Sequence, residues 1–598
     1  MIYFTQTGEA FQDVYTAKEA VLVYAKTASA EKRLSAELIF DPDIYILSET
    51  LSWDTEKEPA LKNISLSMIC KDGTAEFTSN CVLAHENFVK TGEYYTYRLD
   101  KNADGKYPRS LDLYVNGKRI PLCRSEDFVY GFRFSGENDR INHDNLEGLY
   151  IPERAADCLP DGNLHPITLT VYIEWEFYIL HAVSIDRTRI RYDENGERHV
   201  LLRMRPDELY DCVTLMNKTL HPKDRIFFFS NHPDFLQTET FCYDHQTGIL
   251  CYRPKHTLQG DIAIPMLDKL ISFYGMDGVT LQGLSFSGAS EQYVCDHGYL
   301  AAQANVEKRG AVKIETAAVF ARDVRRFSVK DCRFYELGTN GLLMLGKLTM
   351  IDIRNCFFED ISMCGISIGN PVRVCEDKMN CSYDVCIENN FLHRIGYDFP
   401  NAPAIDIFRV DGLSLLHNTI AYCAYSGISV GWEWRSVTYA LGEMVNIRDA
   451  EIAYNKILHH VQVLKDGAAI YVVGANCLNT YTKYFNFMHH NFAYRDTIRH
   501  KIHGYYLDGS SSNWHVYDNV ASGSHRPVFA QFNVPEQYTW NNRIDDIYTT
   551  EEIQVENHHP ERNTLLGEVH LAPTLDELFR KYPKVKDIFD KVGCSLQF

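Results

Sequence analysis

The sequence predicts an all-β protein: a right-handed parallel β-helix, interrupted by an inserted antiparallel β-sandwich-like domain and followed by a short C-terminal helix. Three observations predict it. From residue 266 onward a short alternating strand that ends at Asn or Cys and then a hydrophobe recurs, at 327–334, 350–357, 385–391, 413–420, 450–457 and 514–520. A second apolar strand next to glycine follows, at 341–346, 365–369, 427–431 and 469–474. Between residues 84 and 265 the texture differs, with alternating segments at 111–115 and 167–173 divided by the turn pairs Asn116-Gly117, Asp161-Gly162 and Asn195-Gly196.

Each element has its reason. Residues 1–83 supply an N-terminal cap and the first coils, because the β-like run 36–51 is broken at Asp41-Pro42 and followed by the alternating 64–69. Residues 84–265 form the antiparallel insert, where strand candidates separated by tight-turn signals favour a sandwich. Residues 266–545 form the β-helix proper. Strands this short are not stable alone, and stacking coils at a repeat of a few tens of residues buries their inward faces. The Asn at the end of each first strand points inward at a tight turn, where its amide satisfies backbone groups. Residues 546–598 form a tail with a capping helix, announced by Thr574 and Glu577 in a capping box.

Composition narrows the function. Hydrophobic residues make up 45% and charged residues 23% of the 598, as in a globular protein. The 37 Tyr and 32 Phe suit β-structure and carbohydrate-facing surfaces. A formal net charge of −20, without any Lys/Arg-rich run, opposes nucleic-acid binding. Without an 18-residue apolar run no membrane span is expected, and the start at Met1 has neither a basic nor a long apolar segment, so a cytoplasmic location is expected. The 17 Cys show no framework; Cys332, Cys356, Cys364, Cys386 and Cys423 read as small buried hydrophobes, and Cys375, Cys381 and Cys386 are too loosely spaced for metal. No metal and no cofactor is expected, and the oligomeric state stays open, a homodimer included.

The chemistry points to 465–519. Asp466 precedes the strand-like 467–473 and Asp508 follows 504–507, each beside glycine among aromatic and apolar residues. Carboxylates are seldom left among strand formers unless something pairs with or uses them. One coil apart in a stacked fold, they are candidate partners for glycoside hydrolysis, one protonating the leaving oxygen and the other attacking or activating water. A turn-capping role for each is the competing reading. Trp432, Trp434, Trp514 and Trp540 gather in the same region, and alternation sends Trp432 and Trp434 to one face and Glu433 to the other. Aromatic platforms for sugar C–H faces are the expected use of Trp432, Trp434 and Trp514, with packing under a loop as the alternative. His459, His460, His489, His490, His500 and His503 also gather here and read as hydrogen-bonding to sugar hydroxyls or as turn structure. The predicted substrate-binding set is Trp432, Glu433, Trp434, His460, Tyr471, Tyr506 and Trp514.

The order of these features resembles glycoside hydrolase family 141 and its relatives. The residues that carry the resemblance are 113–119 in the insert, Asp244 to Pro254 followed by 277–286, and 427–432, 466–471 and 506–511 in the catalytic region. The resemblance covers about residues 36 to 545. It implies a β-helix enzyme with an inserted β-sandwich whose catalytic pair is Asp466 and Asp508, among activities that include α-L-fucosidase and xylanase. Gly509 stands where relatives often carry an acidic residue, and Ala468 where glycine is usual. The expectation is an exo-acting hydrolase of a fucosyl, xylosyl or galactosyl oligosaccharide. A polysaccharide lyase or epimerase on the same fold, and a non-catalytic glycan-binding solenoid, are the alternatives; sparse basic residues between Gly427 and Gly474 weigh against the former.

Overall fold

The computed structural model describes residues 1–27, 33–102, 104–129, 133–134, 146–193, 195–215, 225–371, 381–432, 447–474, 486–530, 541–553, 564–565 and 567–596. The chain divides into two units: Met1–Ser79, Leu267–Ala289 and Glu315–Phe598 form one, Asn80–Met266 and Ser290–Ile314 the other.

The first unit is a parallel β-helix. Its coils contribute to a ten-stranded parallel sheet running from Leu51–Asp54 through Lys269–Tyr274, Ala317–Arg322, Asn340–Leu345, Ile366–Ile368, Ile405–Ile407, Ile428–Val430, Gly467–Val472 and Ile502–Leu507 to Arg526–Ala530. The remaining coil strands join one 24-stranded sheet. Register is kept by the inward residues, since Ile405, Ile428, Ile470, Tyr505 and Val528 pair in sequence and all belong to one core. A one-residue slip would turn that apolar row outward. Rings stack along the coil axis as well: Phe77, Phe286, Phe334 and Phe358 follow one another at 5.8, 5.0 and 4.6 Å between centroids.

The inward Asn works as expected. Asn390, Asn418, Asn455, Asn491 and Asn519 are buried and form a ladder: the Oδ1 of each of the last four accepts the backbone N–H of the Asn one coil earlier, at 3.0–3.1 Å, and that of Asn390 accepts the Cys356 N–H at 2.9 Å. The residue before each of them takes a left-handed conformation, from Asn389 (φ 57) to Asp518 (φ 51), which makes the tight corner.

At the N-terminus a hairpin of Ile2–Phe4 and Glu9–Phe11 pairs antiparallel onto Leu34–Phe40, covering the edge of the first coil. Helix Val14–Ala25, capped by Asp13 Oδ1 on the Tyr15 and Thr16 amides, buries Val14, Ala17, Val21, Leu22 and Ala25 in the same core. The C-terminus differs from expectation in two ways. Coil strands continue to Val569–Leu571, past residue 545. The tail folds as two helices, Leu575–Lys581 and Pro583–Lys591, whose Leu578, Val585 and Ile588 pack on Phe492, Val520 and Tyr548. They lie along the side of the coils because those three residues form an apolar strip there. The Thr574 cap on Glu577 N–H is present at 3.3 Å.

The second unit is antiparallel. Thr168–Ile173 lies between Glu176–Tyr192 and Ile226–Ser230, over a core that includes Leu169, Val171, Leu180, Phe227 and Phe229. Nothing in the sequence signals that the chain enters this unit twice, at Asn80–Met266 and again at Ser290–Ile314. Tyr299–Ala302 pairs with the 176–192 strand (Tyr178 with Leu300), and Lys308 Nζ bonds Glu176 and the Tyr178 hydroxyl at 2.6 and 2.7 Å. No helix among the described residues is long and apolar enough to cross a membrane.

Candidate active site

The outer face of the ten-stranded sheet carries one row of in-register residues: Ser367, Asp406, Ser429, Tyr471, Tyr506 and Phe529. All are buried. Two strands bend to build it. Ala469 and Ile470 both join the interior, which leaves Ala468 and Tyr471 facing out. In the neighbouring strand Gly504 and Tyr505 make the same bend. A Cβ on Gly504 would come within 2.9 Å of Ala521 Cβ in the core, so glycine is required there. The bend puts His503 and Tyr506 together on the outer face, their ring centroids 4.9 Å apart.

Asp508 follows Leu507 on this face and is 8% exposed. Its Oδ2 accepts the Tyr471 hydroxyl, and its Oδ1 accepts the Tyr506 hydroxyl at 3.3 Å and the Gly509 amide at 2.7 Å. Burial, then the charge of Asp508, pushes both phenols well above the ordinary tyrosine value, so both stay protonated and donate.

Asp466 sits at the start of the 467–472 strand with φ 57, its amide on the Lys501 carbonyl oxygen at 2.7 Å. Its own carbonyl accepts the Tyr425 hydroxyl at 2.9 Å, and its Oδ1 lies 3.9 Å from His503 Nε2. Because Gly467 pairs with Ile502 and Val472 with Leu507, Asp466 and Asp508 stand near opposite ends of adjacent strands. They do not contact each other; His503 and Tyr506 stand between them. The charge of each reaches the Tyr506 hydroxyl.

The other predicted residues divide. Tyr471 and Tyr506 belong to this face. Trp432, 7% exposed, packs edge-on against Phe408 at 5.5 Å. Glu433 and Trp434 lie outside the described residues, as does Trp540. Trp514 is a correction: it is fully buried in the coil interior, because alternation from Val516 turns it inward. Trp514→Ala is therefore expected to cost about 3–5 kcal/mol of stability while the folded fraction keeps its substrate KM, checked by denaturant melts beside kinetics. His460 is a second correction. It is completely buried, and its Nε2–H donates to the His503 carbonyl oxygen at 2.9 Å, so it braces that strand instead of facing a sugar.

Sequence reasoning missed Asp406 and Phe529. Asp406 is wholly buried, with Oδ2 accepting from Ser367 Oγ at 3.3 Å. A carboxylate between Ile405 and Ile407 was the same signal that singled out Asp508. Phe529 packs at a tilt against His503 and Tyr506, each at 4.7 Å between centroids, and nothing local in the sequence marks it.

Burial, and behind it the charge of Arg495, lowers His460 to about 3; burial, and behind it Arg526, lowers His503 to about 2. Unfolded, each histidine takes a proton near its ordinary value of about 6.5. Their contribution to stability is whole above that pH and is lost as pH falls toward the folded values, by up to about 1.4 kcal/mol per unit for each ring. The melting temperature should drop steadily below pH 6.5, and His460→Gln should flatten the slope, read from melts across pH 4–7. Two triads of ligand-type atoms come within 4.8 Å of one another elsewhere, Asp193, Glu197 and His199, and Asp546, Glu568 and His570. Neither belongs to this face.

No protein-family model matches the chain, and no curated protein matches it in sequence. Among solved structures a glycoside hydrolase superposes with a TM-score of 0.70 at 16% identity, over 97% of this chain and 95% of its own. A mutant of the periplasmic alginate epimerase AlgG aligns with a TM-score of 0.27 at 10% identity, over 51% of this chain and 72% of its own. The catalytic unit of an α-1,3-glucanase from Streptomyces thermodiastaticus aligns at 0.25 and 9% identity, over 81% of this chain and 90% of its own. The likeness to the first is one of fold, and it runs through nearly the whole of both chains.

Proposed function

We propose that this chain is a glycoside hydrolase that removes a sugar from the end of an oligosaccharide, with Asp508 and Asp466 as its working carboxylates. The observation that carries the reading is Asp508: a carboxylate buried on the outer face of the sheet and fixed by two phenol hydroxyls and an amide. The two hydroxyls and the amide that donate to it fix its orientation, which suits the base or nucleophile. Asp466, with about a quarter of its side chain exposed, takes the part of the acid. The fold likeness to a glycoside hydrolase supports the class, and the resemblance read from the sequence supports a fucosyl or xylosyl substrate.

The test is a panel of nitrophenyl glycosides, α-L-fucoside, β-xyloside, β-galactoside and α-L-arabinoside, with NMR of the first anomer released. Hydrolysis of a panel glycoside supports the reading; the absence of release across the panel and from plant and animal oligosaccharides would sink it. One feature favours a second reading, a uronate epimerase or lyase: a neutral imidazole, His503, beside a protonated phenol, Tyr506, offers a base and an acid side by side. Ultraviolet absorbance from an unsaturated uronate, on incubation with alginate or pectate, would turn the assignment to it.

A further inference from the structure

The role of His503 is not explained by packing alone. Its ring is 1% exposed, yet neither Nδ1 nor Nε2 has a hydrogen-bond partner. A buried imidazole with both nitrogens unsatisfied costs free energy unless something else meets them. The ring is held from several sides: Tyr506 at 4.9 Å, Phe529 at 4.7 Å and His525 at 6.2 Å between centroids. Its register neighbours are Ala468, which offers only a methyl group, and Arg526, whose guanidinium lies over Phe529 at 4.2 Å.

The gap to Asp466 has a definite size. At 3.9 Å, His503 Nε2 and Asp466 Oδ1 are too far apart to bond directly. An oxygen placed at ordinary hydrogen-bond lengths from both, about 2.7–2.8 Å, would subtend roughly a right angle. A hydroxyl fits that position chemically: it donates to the carboxyl oxygen and accepts from the imidazole N–H. The Phe529 and Tyr506 rings beside it form an apolar wall of the kind against which sugar C–H faces lie.

We infer that His503 and Asp466 together clasp one hydroxyl of the substrate sugar, which makes His503 a specificity-determining residue. The inference rests on the glycosidase reading for its ligand class and adds which side chain reads the sugar. The burial that keeps the ring neutral leaves one nitrogen a donor and the other an acceptor.

The test is calorimetric binding of L-fucose, D-xylose, D-galactose and L-arabinose to the full chain, wild type and His503→Phe, without turnover. The sugar that binds is then repeated as each of its monodeoxy derivatives. The expected result is that one deoxy position weakens binding to wild type about ten- to hundredfold, and that the same deletion changes binding to His503→Phe less than about twofold. The phenylalanine ring keeps the packing against Tyr506 and Phe529; if that variant does not fold, His503→Leu serves, which likewise removes both ring nitrogens. An equal deoxy penalty in wild type and variant overturns the inference. So does a wild type that hydrolyses a panel glycoside yet binds its sugar with no deoxy-sensitive hydroxyl, and this outcome leaves the glycosidase reading standing. If no monosaccharide binds, the inference falls, whatever the hydrolysis panel shows.

Discussion

Asp508→Asn should lower kcat on the panel glycoside by about 10²–10⁴-fold while the protein stays folded. The asparagine amide keeps the size of the carboxylate and can still accept the Gly509 N–H, so the turn after Leu507 persists. What it loses is the charge and one oxygen. The Tyr471 and Tyr506 hydroxyls both donate to this group, and one of them will face an NH₂ donor. The loss should sit in kcat rather than KM if the carboxylate acts in the transition state. Tyr471→Phe is the graded companion: it removes one donor and should cost activity by roughly tenfold, leaving the carboxylate in place. The measurement is steady-state kinetics beside circular dichroism. Near-wild-type rates in Asp508→Asn would move the chemistry to Asp406 or to the second reading.

Asn455→Ala should destabilise the β-helix by several kcal/mol, the largest single-residue stability effect expected outside the packed aromatics. Asn455 lies at the middle of the ladder. Its Nδ2 donates to the Leu415 and Ala453 carbonyls and to Asn491 Oδ1, at 2.9, 3.2 and 3.0 Å. Its Oδ1 accepts the backbone amide and the Nδ2 of Asn418, both at 3.0 Å. Alanine leaves these groups orphaned in a site without solvent, at about 1–3 kcal/mol for each unsatisfied partner. Asn390, at the ladder's upper rung, shares fewer of these bonds across described coils, so Asn390→Ala should cost less. Chemical denaturation of the two variants checks both the size and the order. Equal, sub-kilocalorie effects would show that the ladder is incidental to stability.

The repeat was legible because a stacked coil writes its needs locally. Each coil must turn tightly, bury a short apolar strand and satisfy the corner, so Asn418, Asn455 and Asn491 recur at matching points and announced their own role. The antiparallel insert was legible from its turn pairs, but its second segment was not. Tyr299–Ala302 is a short strand without a turn signal, and only its partner strand 176–192 defines it. The first tail helix was visible from Thr574 and Glu577; the second, Pro583–Lys591, was not. Where they dock was decided by the apolar strip of Phe492, Val520 and Tyr548, whose members are separated in the sequence and meet only when coils stack.

The same division holds at the site. The sequence by itself determined that Asp466 and Asp508 are unusual, because a carboxylate among strand formers needs a local reason wherever the chain goes. It also determined that Tyr471 and Tyr506 accompany them. Only the tertiary structure decided what faces what. Alternation of side chains has a period of two, so one bend at Ala469-Ile470 or Gly504-Tyr505 reverses the outward set beyond it. No local pattern marks that bend until the core it fills is known. That is why Tyr471 faces out beside Ala468, and why His503 and Tyr506 came out together on the outer face.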